Sequence, residues 1–239
     1  MTAVIRTFLV VVILASLTPV ASFALMPYNQ DFELLDQEDP DALANDGWLV
    51  FGNVYGPDWG YWYGYGPFPA PNGGAAFSAI VIGEGGAEQG EQQLSVYSDY
   101  NNEDHGNGAW IEANVYQEQV VEEGDVGATW AFEFDAKLGN LEGQTTALAF
   151  IKTLDPEQGY QMTNFITEDM TFTPTTWTSY ELSIEIDETL PGQILQIGFS
   201  NTATNYEGSG VFYDNLDFYL DDPAPANKVS WGAVKSLYR

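Results

Sequence analysis

The chain has 239 residues, with 35 Asp and Glu against 6 Lys and Arg, a formal net charge of −29 at pH 7 and no cysteine. Such a surplus of negative charge disfavours nucleic acid, anionic membranes and acidic polysaccharides as partners, and it suits divalent cations and salty surroundings that screen self-repulsion. No disulfide ties down the loops, yet 15% aromatic residues make the chain too apolar to stay disordered.

Residues 1–24 read as a signal peptide: Arg6, an apolar run from Phe8 to Leu17, and the small-residue pattern of Ala21, Ser22 and Ala24. The run falls short of the about 20 residues that cross a bilayer, so the expectation is cleavage after Ala24 and secretion to the extracellular space, periplasm or cell surface. Residues 25–220 then suit one large β domain.

That domain opens with a short strand through Phe32 and Leu34, then a turn over residues 37–41, then a strand over Trp48–Phe51. From Tyr55 to Phe68 seven rings, Tyr55, Trp59, Tyr61, Trp62, Tyr63, Tyr65 and Phe68, alternate with Gly56, Gly60, Gly64, Gly66, Pro57 and Pro67. So much Gly and Pro predicts a loop that carries rings, either folded back as a plug or exposed as a binding platform. Strands follow at 76–82 and 93–97 across a glycine-rich hairpin.

The polar loop from Ser98 to Gly108 is rich in oxygen donors of the kind hard cations take. The EF-hand frame from Asp99 fails there, because position six is Asp104 and position twelve is Trp110, so hydrogen-bonded Asx turns are the expectation. His105 in this loop is expected at the surface. Strands are further predicted over 110–116, 129–137, 146–152, 160–167, 177–186 and 193–199. In one of them Trp130, Phe132, Phe134 and Ala136 share a face opposite Glu133, Asp135 and Lys137.

The last predicted strand is Val211–Leu220. A period of two puts Phe212, Leu216, Phe218 and Leu220 on one face and Val211, Tyr213, Asn215, Asp217 and Tyr219 on the other, with Asp214 in the apolar phase. A carboxylate aimed at a core must be paired, hydrogen-bonded or metal-bound. With few cations in the chain, a metal ion and a capped strand edge are the two readings. Beyond it, residues 221–239 form a Pro/Ala linker and a basic tail, Lys228 to Arg239, in which Trp231, Val234 and Tyr238 fall at helical spacing. The tail either packs on the acidic domain or serves docking or self-association.

About ten strands at turn spacing and no long amphipathic helix predict an all-β antiparallel sandwich. The opening Asn29–Glu33 with Trp48 downstream, the strand Trp130–Lys137, the segment Trp177–Tyr180 and the close Val211–Phe218 resemble secreted carbohydrate-binding modules of the galactose-binding-like jelly-roll type, in particular those attached to cellulases and xylanases. The resemblance implies a structural calcium joining the first and last strands, with Glu33 and Asp214 as ligands and Asp31 beside them. It also implies a neutral polysaccharide or glycan as partner, stacked on Trp59, Tyr61, Trp62, Tyr63 and Tyr65.

No catalytic constellation stands out. Carboxylate pairs carry no weight among 35 acids, a lyase lacks bases where only Lys137, Lys152 and His105 lie between residues 25 and 220, and no phosphate loop, zinc spacing or dinucleotide fingerprint occurs. The expectation is a non-catalytic glycan binder. A structural cell-surface or matrix protein, assembling through its acidic domain and basic tail, is the alternative from another class.

Overall fold

The computed structural model describes residues 25–221; the expected signal peptide, the linker beyond Asp221 and the basic tail lie outside the described residues. Alternating apolar and polar residues along most segments dictate strands with one wet face, and two such layers bury their apolar faces together. One layer, sheet A, runs in the order β10 (Thr178–Glu185), β7 (Thr129–Leu141), β12 (Ser209–Leu220), β5 (Gln92–Val96) and β4 (Ser78–Ile82), with β1 (Tyr28–Gln30) also paired to β12. Sheet B runs β3 (Tyr61–Pro69), β2 (Leu49–Tyr55), β6 (Trp110–Val120), β11 (Ile194–Ala203), β8 (Thr146–Asp155) and β9 (Gln161–Asp169). Every pairing is antiparallel, and one four-residue helix, α1 (Ala42–Asn45), precedes β2. The fold is an all-β sandwich of the jelly-roll type, as expected.

Between the sheets, Trp130, Phe132, Phe134 and Ala136 of β7 face Val115, Ile151, Ile197 and Phe199 of sheet B, all buried. Phe199 meets Phe134 edge-on at 5.2 Å and Phe132 at 5.8 Å. Each buried side chain of this size contributes about 1.5–3 kcal/mol.

Two expectations need correction here. The opening strand is Tyr28–Gln30, earlier than Phe32 and Leu34: Phe32 sits at φ +59 in the turn that follows, buried against Trp48, and Leu34 is exposed. The second concerns the facing of β12. Val211 and Tyr213 point into the core together with Leu216 and Phe218, while Phe212 lies on the outer side beside Lys137. The strand changes phase at a bulge, where Asn215 takes φ +49 and the register with β7 shifts between Asp214 and Asp217. One extra residue in a strand reverses the facing of all that follows. The bulge also divides one edge of β12 between two partners, β5 at residues 211–213 and β1 at residues 216–218. The first and last strands therefore close the same sheet.

Candidate functional site

The aromatic stretch is a hairpin and not a loop, which overturns the expectation from its Gly and Pro content. Gly56 to Gly60 form the turn, closed by Gly56 N–H donating to Gly60 C=O at 2.7 Å, with Pro57 inside it. β3 is an edge strand bonded only to β2, so Pro67 can sit at its register shift without breaking a ladder. The glycines make room for rings: a Cβ on Gly52 would lie 2.2 Å from the Tyr65 ring, and one on Gly64 would press on Phe51 and Tyr61.

Four of the five candidate rings are exposed, Trp59 at 55%, Tyr61 at 60%, Trp62 at 48% and Tyr63 at 41%. Trp59 stacks on Trp110 at 4.5 Å, and Tyr55 lies 6.1 Å from Trp59 and 5.7 Å from Tyr61, so these rings make one cluster. Tyr65 differs from the other four. Its ring covers Gly52 and meets Phe77, and its hydroxyl donates to Asp99 Oδ2 at 2.7 Å, which makes it a prop for the hairpin. Tyr63 is tied in the same way to Asp104 Oδ2 at 2.7 Å while keeping its exposed face.

The cluster stands at one end of a second surface, which sequence reasoning missed. Alternation in β6 sends Ala113 and Val115 into the core and Glu112, Asn114, Tyr116 and Glu118 to the outer face of sheet B. Register places Ser200, Thr202 and Gln196 of β11 and Lys152 of β8 beside them. From Trp110 to Glu118 this face runs about 26 Å at about 3.3 Å per residue. No further layer covers it among the described residues, yet Asn114, Gln196, Ser200 and Thr202 are only 4–7% exposed, so their neighbours pack closely around them.

Its polar groups are ordered. Asn53 Nδ2 donates to Glu112 Oε1 at 2.7 Å, Asn114 Nδ2 to the same oxygen at 2.9 Å, and Gln196 Nε2 to Glu118 Oε2 at 2.9 Å. Gln196 Oε1 is buried without a partner. Opposite Gln196, the Lys152 ammonium rests 4.5 Å from the Phe150 ring centre and 5.5 Å from that of Tyr116. Burial lowers its pKa to about 8, against the upward pull of Glu112 and Glu118. The visible signal was the regular phase of Glu112, Asn114, Tyr116 and Glu118 along one strand.

Of the expected metal ligands, Asp214 lies at the bulge of β12, and Glu33 and Asp31 are near enough for their charges to act on it. Asp214 is fully buried; its Oδ1 accepts from Asn215 N–H at 2.6 Å and its Oδ2 has no partner. Burial, with the charges of Glu33, Asp31 and Asp135, raises its pKa to about 7 against the lowering hydrogen bond from Asn215. Glu33 Oε1 already accepts from the backbone N–H of Glu91 and Gln92 at 2.7 Å each, and Asp31 Oδ1 from Glu33 N–H at 3.2 Å. Among the described residues no group of three Asp, Glu, His or Cys side chains converges as a metal cluster.

His105 is buried, not at the surface as expected. The 98–108 loop winds into a 3-10 turn over Glu103–Asn107, capped by Asn102, with the Asx turns anticipated at Asp99 and Asn102. That turn aims the imidazole inward between Tyr100 at 5.6 Å and Tyr206 at 4.9 Å, with Nε2 3.2 Å from Ser98 Oγ, and burial pushes its pKa down.

No family model matches the chain, nor does any curated protein sequence. Solved structures similar to it include the xylan-binding domain CBM22-1 of Paenibacillus barcinonensis Xyn10C, at 10% identity and a TM-score of 0.43, covering 85% of this chain and 97% of that one. A cyclase from Fischerella sp. in apo form is similar at 16% identity and 0.46, over 80% and 95%. The enzymatically active domain of bacteriophage CBA120 tailspike protein 4 is similar at 14% identity and 0.44, over 78% of this chain, which spans 21% of that one. Carbohydrate-binding modules of the jelly-roll type are thus among the structural neighbours.

Proposed function

We propose that this chain is an exported, non-catalytic glycan-binding sandwich that takes a neutral polysaccharide along the outer face of sheet B, with the β2–β3 hairpin as its aromatic rim. The observation that carries the reading is the junction of exposed rings, Trp59, Tyr61, Trp62 and Tyr63, with a floor of ordered amide and carboxylate groups. Rings take the C–H faces of pyranoses, and the floor offers both donors and acceptors to hydroxyls. Lys152 stands opposite Gln196 in the register of β8 and β11, and its ammonium can donate to a hydroxyl. Glu112 and Glu118 disfavour an anionic sugar.

The same reading includes a structural calcium. The donor chemistry fits: an orphaned, buried Asp214 oxygen that feels the charges of Glu33 and Asp31 is what a hard cation would neutralise. Asp214 and Glu33 would hold it, and its contribution would be stability alone.

The test is retention of the full chain on insoluble xylan, cellulose and mannan. Retention lost in Trp62→Ala and Lys152→Met supports the reading; failure of the wild-type chain to bind any of the three removes it.

A further inference from the structure

A second cleft, of about 600 Å³, opens among Tyr97, Tyr100, Tyr206, Asn140, Glu142 and Gly210. None of these residues belongs to the aromatic hairpin or to the floor of sheet B, and the glycan reading above makes no use of them. The volume lies in the range of small-ligand sites, about 300–1,000 Å³.

Its wall is a ladder of rings. Tyr97 and Tyr100 lie 6.0 Å apart at 12°, Tyr100 and His105 5.6 Å apart at 27°, and His105 and Tyr206 4.9 Å apart at 35°. The first two rings are locked in place. The Tyr97 hydroxyl reaches Gly74 C=O at 3.1 Å and Ser78 C=O at 3.2 Å, and that of Tyr100 donates to Glu207 C=O at 2.8 Å. Rings fixed before a ligand arrives lose little freedom on binding it. Tyr206 is half exposed at φ +57, after Asn205 at φ +52, two left-handed residues in a row that are not glycine.

The chemistry of the cleft narrows its ligand. Among the described residues no cation lines it, and Glu142 does, so an anion is disfavoured. Tyr97 and Tyr100 stack nearly parallel, so the ladder offers a free ring face only at its ends, whereas a caged ammonium needs rings turned around it. The half-exposed ring of Tyr206, with an exposed amide, Asn140, and an exposed carboxylate, Glu142, in the same cleft, suits a ring with C–H faces and hydroxyl edges.

Gly210 points the same way. A Cβ there would meet nothing nearer than Asn140 N at 3.8 Å and Ser95 Oγ at 3.9 Å, and its backbone is not left-handed. The fold does not require glycine at this position; its missing side chain keeps the cleft open. We propose that the tyrosine cleft is a second neutral-sugar site, separate from the hairpin, so that one chain holds two glycan segments at once. It rests on the glycan reading only for the class of ligand.

The test is calorimetric titration of the full chain and of Gly210→Val, Tyr206→Ala and Trp62→Ala with xylohexaose, cellohexaose and mannohexaose, and with choline as a cationic probe. The expected result is two sugar equivalents per chain, reduced to one by Gly210→Val or Tyr206→Ala with the melting temperature kept, and reduced to the other one by Trp62→Ala. Loss of all sugar binding in Gly210→Val with none in Trp62→Ala supports this cleft and removes the hairpin reading instead. A single equivalent that only Trp62→Ala abolishes overturns the proposal. So does the absence of any sugar binding, or choline uptake that Gly210→Val blocks.

Discussion

The outer faces of the two sheets are built by the same alternation and have opposite characters. On sheet A, Asp217, Glu133 and Glu181 stand in one row across β12, β7 and β10, with both glutamates exposed, and Glu133 raises the pKa of Glu181. These are like charges left to water, tied only by Tyr219 donating to Glu133 at 2.7 Å and by a side-chain hydrogen bond between Glu133 and Glu181. On sheet B the corresponding positions carry Glu112, Asn114, Gln196 and Lys152, buried or half-buried, with Asn114 donating to Glu112 and Gln196 to Glu118. The difference teaches that polar residues in the outward phase of a strand mark a site only when neighbouring side chains hold them in order and larger side chains rim them.

The sharpest way to break the contrast is at Gly52. Gly52→Ala drives a methyl into the Tyr65 ring, so it should cost about 1–3 kcal/mol, or about 2–4 °C of melting temperature per kcal/mol, and should abolish polysaccharide retention. Thermal melting and pull-down read both; a variant that melts and binds like the parent would show that the hairpin does not depend on this packing.

Lys152→Met separates stability from binding. The folded lysine titrates at about 8, below its ordinary value of 10.5, so its destabilising effect is absent above pH 10.5, grows as pH falls to 8 and is full below that. At pH 7 the substitution should raise the melting temperature and still weaken oligosaccharide binding about tenfold, or about 1.4 kcal/mol. Wild-type affinity should fall as pH rises through 8. An affinity that is flat from pH 6 to 9.5 would take Lys152 out of the recognition.

Asp214 reports on the metal. Its carboxyl is raised from 3.8 to about 7, so without a cation its penalty is absent below pH 3.8, grows up to pH 7 and stays constant above. Asp214→Asn should therefore stabilise the chelated protein at pH 8 and destabilise it in millimolar calcium. Identical melting curves with calcium and with chelator would count against the ion. The smallest effect belongs to sheet A: Glu181→Gln should move stability by no more than about 0.5 kcal/mol in denaturant titration and leave binding untouched.

Much of the sandwich was legible. The strands through Trp130 and Leu182 announce themselves because one face is core and the other water, and the tyrosines and tryptophans of the hairpin stood out by composition. Their conformation did not. Gly and Pro argue against a strand by local propensity, but β3 is an edge whose rings pack over the glycines of its own hairpin, and that compensation exists only between strands. The bulge at Asn215 was equally hidden, since Asn in a strand does not declare a positive φ until both neighbours of β12 are known.

What the amino-acid order determined by itself is the class of fold, the acidic surplus and the store of rings in one stretch, because each follows from local periodicity or composition. Tertiary structure alone decided which polar side chains share the floor of sheet B, that His105 is buried, and that Tyr97, Tyr100 and Tyr206 line one cleft. Those residues come from strands and loops up to about a hundred positions apart, and only sheet register and the curvature of the layers bring them together.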